Sequence, residues 1–446
     1  MGLPHDRCNR QAVQLIASIA VAWAVFSAAA SVQSIPMQTR VLHTLSQRPS
    51  LTGSGVTLDA ISREAGAAGW QQHALVGVPA GDTGSIDGLE PGEISRLEFG
   101  NGGESSLDFD VPGMSDVMPY PSTRFSEMTV EQLSSYRAAW ATTLSRIFDE
   151  FKPGIIHAHH AWILSSVLKD VAGSAPVIVH GHGTGLRQLG LCPHLTDEIR
   201  EGCRRNDLFV VLHQEHARLY QEEYGLTKQQ VAVVGAGYRE DLFHCTAGIE
   251  ERGDSILYAG KISESKGLSS LLDALELLQV SRPGTRLEIA GSGSGEEADR
   301  LLGRMKTFGD ALIYHGHVDQ PRLAELMRGC KVFALPSFYE GLPLVLVEAL
   351  ACGCQPVCTA LPGVRSGIIP HLPGVLHTVE LPEMEKIDQP TAGALPGFAK
   401  DLSDTLQQAL DAPSPHSGKD PGDLLAPFTW RAVFKRIEAA WLGLAG

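Results

Sequence analysis

Short apolar runs that stop at a glycine or polar loop and give way to a helix-like stretch recur along the whole chain. Ile256–Gly260 precedes the helix-like Leu268–Leu278, Leu287–Gly291 opens into the glycine turn Ser292–Gly295, and Phe333–Pro336 leads through a loop into another helical composition. The first half repeats the arrangement: Arg40–Leu45 reads as a strand, Thr52–Val56 as a flexible loop, and Thr57–Ala68 as a helix. Two further strands end at His157–His160 and at His180–Gly185. Alternation of this kind predicts α/β architecture, because each crossover helix returns the chain to the same end of the sheet and the strands run parallel. Ligands then gather at the carboxyl ends of the strands. A chain of 446 residues with 43% hydrophobic residues is long enough for two such sheets.

The chemistry concentrates after the strand Phe333–Pro336. Glu340 and Glu348 stand eight residues apart in Glu340-Gly-Leu-Pro-Leu-Val-Leu-Val-Glu348. The composition from Pro343 onward predicts a helix starting near Glu340, whose unpaired N–H groups attract an anion, with Gly341 admitting a close backbone approach. Over about 2.2 turns, Glu348 would lie deeper along the axis on an adjoining face, so that two carboxylates grip one elongated ligand. Upstream, Lys261 and Lys266-Gly267 lie in a loop before a helix start, where cations are electrostatically unfavourable unless an anion binds there. Gly291, Gly293 and Gly295 form a turn, and Ala311–Val318 carries a short strand followed by His317 and Val318.

Taken in this order, the segments resemble the retaining glycosyltransferases of family 4, whose signature is E-x7-E. The resemblance implies a GT-B fold, that is, two Rossmann-like domains with parallel sheets facing an interdomain cleft. It implies that Glu340 with the backbone of Gly341, Leu342 and Pro343 meets the transferred sugar and its phosphate, and that Glu348 binds the ribose. Lys261 and Lys266 would clamp the diphosphate, with Lys261 standing where the family usually has Arg and supplying a point charge rather than a fork. Gly291, Gly293, His317 and Val318 would border the nucleotide, and Gly53 and Gly55 the donor phosphates or acceptor. His182 would lie beneath the transferred sugar, with His180 as an alternative at period two.

The implied activity moves a sugar from a nucleotide diphospho-sugar, UDP favoured, to a glycan, lipid or small-molecule acceptor, with retention and without a metal or other cofactor. A nucleotide-sugar epimerase of the same fold and a noncatalytic nucleotide-sugar-binding subunit are the alternatives. His157, His159, His160, His180 and His182 offer nitrogen ligands, but they show no helical H-x3-H spacing and no acidic partner within their two runs, so no metal is expected. The expected domains are 37–245 for the acceptor, 246–425 for the nucleotide-sugar, and a final helix in 426–446 crossing back to the first. In that helix Thr429 is the expected N-cap. Val231–Phe243, with Gly237 and Asp241, leads out of the first domain but lacks the family's usual Pro-Asn.

The net charge of −15 argues against nonspecific nucleic-acid binding. Eight cysteines in no disulfide framework read as reduced thiols of a cytoplasmic protein. The low-complexity stretches Gly81–Asp116 and Pro382–Pro421 read as an acceptor-facing loop region and a surface excursion. Tyr120, Arg124 and Phe125 read as part of a packed loop, with a sugar or lipid-headgroup platform as the alternative. Residues 1–36 include the apolar Leu15–Val32 and an A-x-A spacing at Ala28 and Ala30, which admits a signal peptide, a membrane anchor at the inner face, or a mis-assigned start before Met37.

Overall fold

The computed structural model describes residues 40–50, 52–100, 107–115, 118–245, 252–413, 415 and 421–445. The expectations for residues 1–36 lie outside this set. Among the described residues no helix is long and apolar enough to cross a membrane.

Two parallel sheets organise the chain. The first has seven strands: β1 (Arg40–Leu45), β2 (Gln71–Pro79), β3 (Ile94–Phe99), β4 (Ile155–His159), β5 (Val177–Gly181), β6 (Leu208–Val211) and β7 (Val231–Val233). Their order is β3-β2-β1-β4-β5-β6-β7. The second has six: β8 (Ser255–Ala259), β9 (Arg286–Ala290), β10 (Leu312–Gly316), β11 (Val332–Leu335), β12 (Gln355–Thr359) and β13 (His377–Val379), in the order β10-β9-β8-β11-β12-β13. In each sheet the winding reverses beside the first strand, at β1/β4 and at β8/β11, which opens a crevice at the carboxyl ends there. Helices cover both faces, so central strands such as β4, β5, β11 and β12 are buried along their whole length.

Local sequence sets the helix ends. The helix Val130–Phe151 opens on a capping box between Thr129 and Gln132 and buries Leu133, Tyr136, Trp140, Leu144 and Ile147, a stripe at three- and four-residue steps. It stops at Lys152, which turns left-handed before Pro153. The last helix, Trp430–Ala445, has its first turn capped by the Thr429 hydroxyl, which accepts from the Ala432 N–H at 3.2 Å. Its Trp430, Val433, Phe434, Ile437 and Trp441 pack into the core of the first sheet with Val41, Ile61, Ile178 and Val210. Each such buried side chain contributes roughly 1.5–3 kcal/mol.

Several sequence expectations are corrected. The helix expected at Thr57 begins at Gly53, because the Thr52 hydroxyl caps it by accepting from the Gly55 N–H; the glycines form its first turn rather than a flexible loop. Gly81–Asp116 contains the edge strand β3, and Pro382–Pro421 contains the 17-residue helix Leu395–Asp411, which buries Phe398, Leu402 and Leu406. Their polar and glycine-rich flanks masked that apolar periodicity. At Phe125 the packed-loop reading holds and the platform alternative falls: the ring is buried edge-on against Tyr136 and Trp162, and Arg124 pairs with Glu127 at 2.9 Å. The expected start of a helix near Glu340 moves to Val345, since the only helix there is Val345–Ala351. Glu340 therefore sits in the preceding loop, and the 2.2-turn relation to Glu348 does not hold.

Candidate functional site

The carboxyl ends of β8, β9 and β10 enclose a cavity of about 620 Å³. Gly260, Lys261, Gly291, Gly293, His317 and Val318 line it from the second sheet, and Met118 and Pro119 close it from the first. Its tightness depends on Gly291, whose φ is +147° and whose missing Cβ would overlap the Gly260 carbonyl oxygen. The neighbouring loop is held by the Tyr258 hydroxyl, which donates to the Lys261 carbonyl at 2.6 Å. Lys261 itself is exposed.

Lys266 closes a single 3-10 turn before the left-handed Gly267. Its ammonium lies 2.7 Å from a Glu340 oxygen, which also accepts from the Ser337 hydroxyl at 2.8 Å. The two lobes of the sequence signature thus meet in space, from segments 74 residues apart. Ser337 was missed by sequence reasoning, although its place three residues before Glu340 in the same loop was a readable signal. Val345 lines the first cavity, and Glu348 follows it by three residues on the same helix face. Burial raises the Glu348 carboxyl to about 7, and it has no side-chain hydrogen-bond partner among the described residues. Leu342 packs against the core around that helix and Pro343 is buried, so these two support the loop more than they face open space.

A second cavity, of about 260 Å³, adjoins the first through Met118. Gly53, Ser54, His160, His182 and Arg187 line it from the first sheet's side, and Tyr339 and Gly341 from the second. Of the two glycines proposed from sequence, only Gly53 reaches it. Gly55 is buried, and a Cβ there would strike the backbone at Ser50, so its smallness serves packing. His182 lines the cavity and His180 does not. His160 and Arg187 were not singled out from sequence for this place: a second histidine beside His159 and an arginine in a helix carry no spacing signal.

Behind His182 runs a histidine ladder. His43 pairs in register with His157, and His159 with His180, so the imidazoles of β1, β4 and β5 share one sheet face. Burial holds His43 down at about 4, His160 and His180 at about 3, and His157, His159 and His182 well below the ordinary imidazole value. All are neutral at pH 7. Nitrogens of His159, His180 and His182 lie within 4.8 Å of one another. Their rings lie within 8–12° of parallel, and His159 Nδ1 stands 3.0 Å from His182 Nε2, within hydrogen-bonding distance.

Hydrogen bonds fix two tautomers. The Trp441 indole can only donate, and it meets His157 Nδ1 at 2.9 Å; His157 therefore carries its proton on Nε2 and donates to His180 Nδ1 at 3.2 Å. The Thr184 hydroxyl lies 3.1 Å from the His182 carbonyl and 2.9 Å from His160 Nδ1. Both contacts are hydrogen bonds only if threonine gives its one proton to the carbonyl and accepts from His160 Nδ1–H, which leaves His160 Nε2 as a bare lone pair.

The family model described as Glycosyltransferase Family 4 matches residues 115–241, and that described as Glycosyl transferases group 1 matches residues 242–386. A D-inositol 3-phosphate glycosyltransferase of Jonesia denitrificans is 35% identical over 136 residues, which is 29% of this chain and 32% of that protein, so the match spans about a third of the relative's length. A sucrose-phosphate synthase of Thermosynechococcus elongatus superposes with a TM-score of 0.62 at 17% identity, covering 91% of this chain and 99% of that one. The Anabaena HepE structure in complex with UDP and glucose gives a TM-score of 0.60 at 15% identity, covering 91% and 100%. The two sheets facing a shared cleft are the GT-B fold, and the two family models together match residues 115–386, more than half of the sequence. The chain belongs to the group 1, family 4 glycosyltransferases.

Proposed function

We propose that the protein transfers a sugar from a nucleotide diphospho-sugar, UDP ahead of other nucleotides, to a hydroxyl of an acceptor, with retention and without a metal. The observations that carry this reading are the Lys266–Glu340 pair at 2.7 Å, whose Glu340 stands between Tyr339 and Gly341 of the second cavity, and the glycine-walled first cavity that Lys261 lines. An ammonium has three donors, so Lys266 keeps its bond to Glu340 while meeting a phosphate oxygen. The UDP preference draws support from HepE, whose structures hold UDP and UDP-glucose.

The chain's own groups then divide the work. Glu340 orients hydroxyls of the transferred sugar, and Glu348 accepts from the ribose. The bond from the anomeric carbon to the diphosphate breaks as the acceptor oxygen approaches from the same face, and the acceptor's proton passes to the leaving phosphate oxygen. Lys261 and Lys266 stabilise the charge that develops there, an interaction strongest in the transition state. His182, neutral because it is buried, closes the opposite side without repelling positive charge at the anomeric carbon.

NMR of a reaction containing an α-linked UDP-sugar, acceptor and EDTA should show an α-linked product at an undiminished rate. An inverted linkage would overturn retention. Activity lost in EDTA and restored by Mg²⁺ would overturn metal independence. Conversion of the donor sugar with no acceptor present would instead identify an epimerase.

A further inference from the structure

His213 is not among the described residues that line either cavity, yet its ring packs against the loop that carries Glu340. It follows β6 and caps the helix Gln214–Tyr224, with Nδ1 accepting from the His216 N–H at 3.3 Å. Capping alone asks for less, since the short side chains of Ser, Thr, Asn and Asp are the preferred caps. The imidazole reaches on to the second sheet's side, where Ser366 Oγ stands 3.0 Å from the same Nδ1 and 2.7 Å from the Pro362 carbonyl. A hydroxyl can donate to the ring or accept from it, so this tie forms in either tautomer. His216 backs the ring, stacked on it at 4.1 Å between centroids, and only 3% of His213 is exposed.

Ser366 belongs to the π-helical turn Val364–Ile368, an irregularity common at functional sites. Two glycines let that turn close on both the ring and the loop. A Cβ on Gly363 would overlap the Gly341 carbonyl oxygen and lie 3.3 Å from His213 Nε2, and one on Gly367 would lie 2.6 Å from Leu342 Cδ1 and 3.1 Å from His213 Cβ. The helix after the loop starts at Val345 without a side-chain cap, so contacts from elsewhere set the course of residues 340–344. Lys266 and Ser337 hold Glu340 from its own side of the cleft. His213 meets the loop from the other side.

We propose that His213 is a positioning residue, which holds the Glu340–Leu342 loop in its transfer-competent place from across the cleft, with Ser366 as the tie that keeps the ring turned to that loop. This deepens the glycosyltransferase reading and rests on it for the word transfer, while the packing of ring, turn and loop stands by itself. The ring touches no reacting atom. Its effect runs through the loop, where a displacement of about 1 Å can cost up to about a hundredfold in rate. Nucleotide binding is spared, because His213 is not among the residues of the first cavity.

Wild type, His213→Asn, Ser366→Ala and the double variant of the full chain are compared in the release of UDP from UDP-glucose, with water as the acceptor. Asparagine caps the helix and keeps a polar atom near the Nδ1 position, but it lacks the far half of the ring. In His213→Asn, kcat should fall about tenfold or more with KM within about twofold of wild type, and the stoichiometry of UDP binding in calorimetry should be undiminished. Ser366→Ala should lower kcat by a smaller factor and add nothing in the His213→Asn background. A second readout needs no ligand: in protein labelled with 15N-glycine, the Gly341 cross-peak, identified by its loss in Gly341→Ala, should move in Ser366→Ala, whose hydroxyl bonds to His213 and Pro362 rather than to Gly341. That shift should vanish in the His213→Asn background. An undiminished kcat in His213→Asn, a loss confined to KM or to binding stoichiometry, or an effect of Ser366→Ala that persists in full without the ring overturns the proposal. If wild type releases no UDP, the donor reading fails instead, and the Gly341 cross-peak, moved or unmoved, still decides this one.

Discussion

At the scale of single residues, Glu348 is the group whose environment says most about ligand binding. Its carboxyl, lifted to about 7 by burial, is only part ionised near neutrality, and no protein donor compensates it among the described residues. A ribose would supply the missing donors and favour the charged form. Affinity for a UDP-sugar, whose diphosphate diester does not titrate in this range, should therefore rise as pH climbs from 6 to 8 and then level off. Glu348→Gln should bind about 1.5–3 kcal/mol more weakly and lose the pH dependence. Calorimetry across that range reads both effects, and a flat wild-type profile would remove the ionised carboxylate from the binding site. The Lys266–Glu340 pair makes the complementary point: each holds the other in position before a ligand arrives, and neither needs a long-range rearrangement to engage one.

At the scale of elements, the strand-and-loop segments were legible because parallel strands buried on both faces read as unbroken apolar runs, as Ile256–Ala259 and Val332–Leu335 do. The helix starts were not. Helix onset at Gly53 rather than Thr57 rests on the Thr52 cap inside a glycine-rich run, and onset at Val345 rather than Glu340 involves no side-chain cap, Glu340 being held in the loop by Lys266 and Ser337. That Lys266 and Glu340 gather at one ligand was implied by the resemblance, whereas their direct ion pair and the space shared by His160, Arg187 and Tyr339 were invisible, since both join segments far apart in the chain.

The helix Trp430–Ala445 illustrates the same limit: its amphipathic pattern announced a helix, but nothing announced that Trp441 would set a histidine tautomer. Trp441→Phe keeps most of the packing and removes the indole donor, leaving His157 Nδ1 buried and unpaired. Unfolding free energy in urea should fall by about 1–3 kcal/mol, and nitrogen chemical shifts of His157 and His180 should show mixed tautomers. Unaltered imidazole shifts would mean that the tautomers are fixed by other contacts.

At the scale of the whole molecule, the buried histidines couple folding to acid. His43, His160 and His180, held at about 4, 3 and 3, and His157, His159 and His182, held lower still than the ordinary value, remain neutral in the fold under conditions where the unfolded chain protonates them. The unfolded state then binds more protons, so stability is complete above about pH 6.5 and declines as pH falls toward the folded values. Each histidine contributes a slope of up to about 1.4 kcal/mol per pH unit in that window. Glu348 opposes them by one proton: with its carboxyl at about 7, the fold retains a proton that the unfolded chain has released, which adds stability on acidification. The histidines outnumber it, and the net slope remains steeply downward. Ordinary carboxylates titrate mostly below pH 5, so in the interval from 6.5 to 5 the slope is that of the imidazoles less the one proton of Glu348. Urea unfolding at half-unit steps through that interval should show a midpoint falling several times faster than one proton would allow. A midpoint that stays level to pH 5 would mean that these rings gain protons or water without unfolding, and the dry, neutral ladder beneath His182 would have to be abandoned.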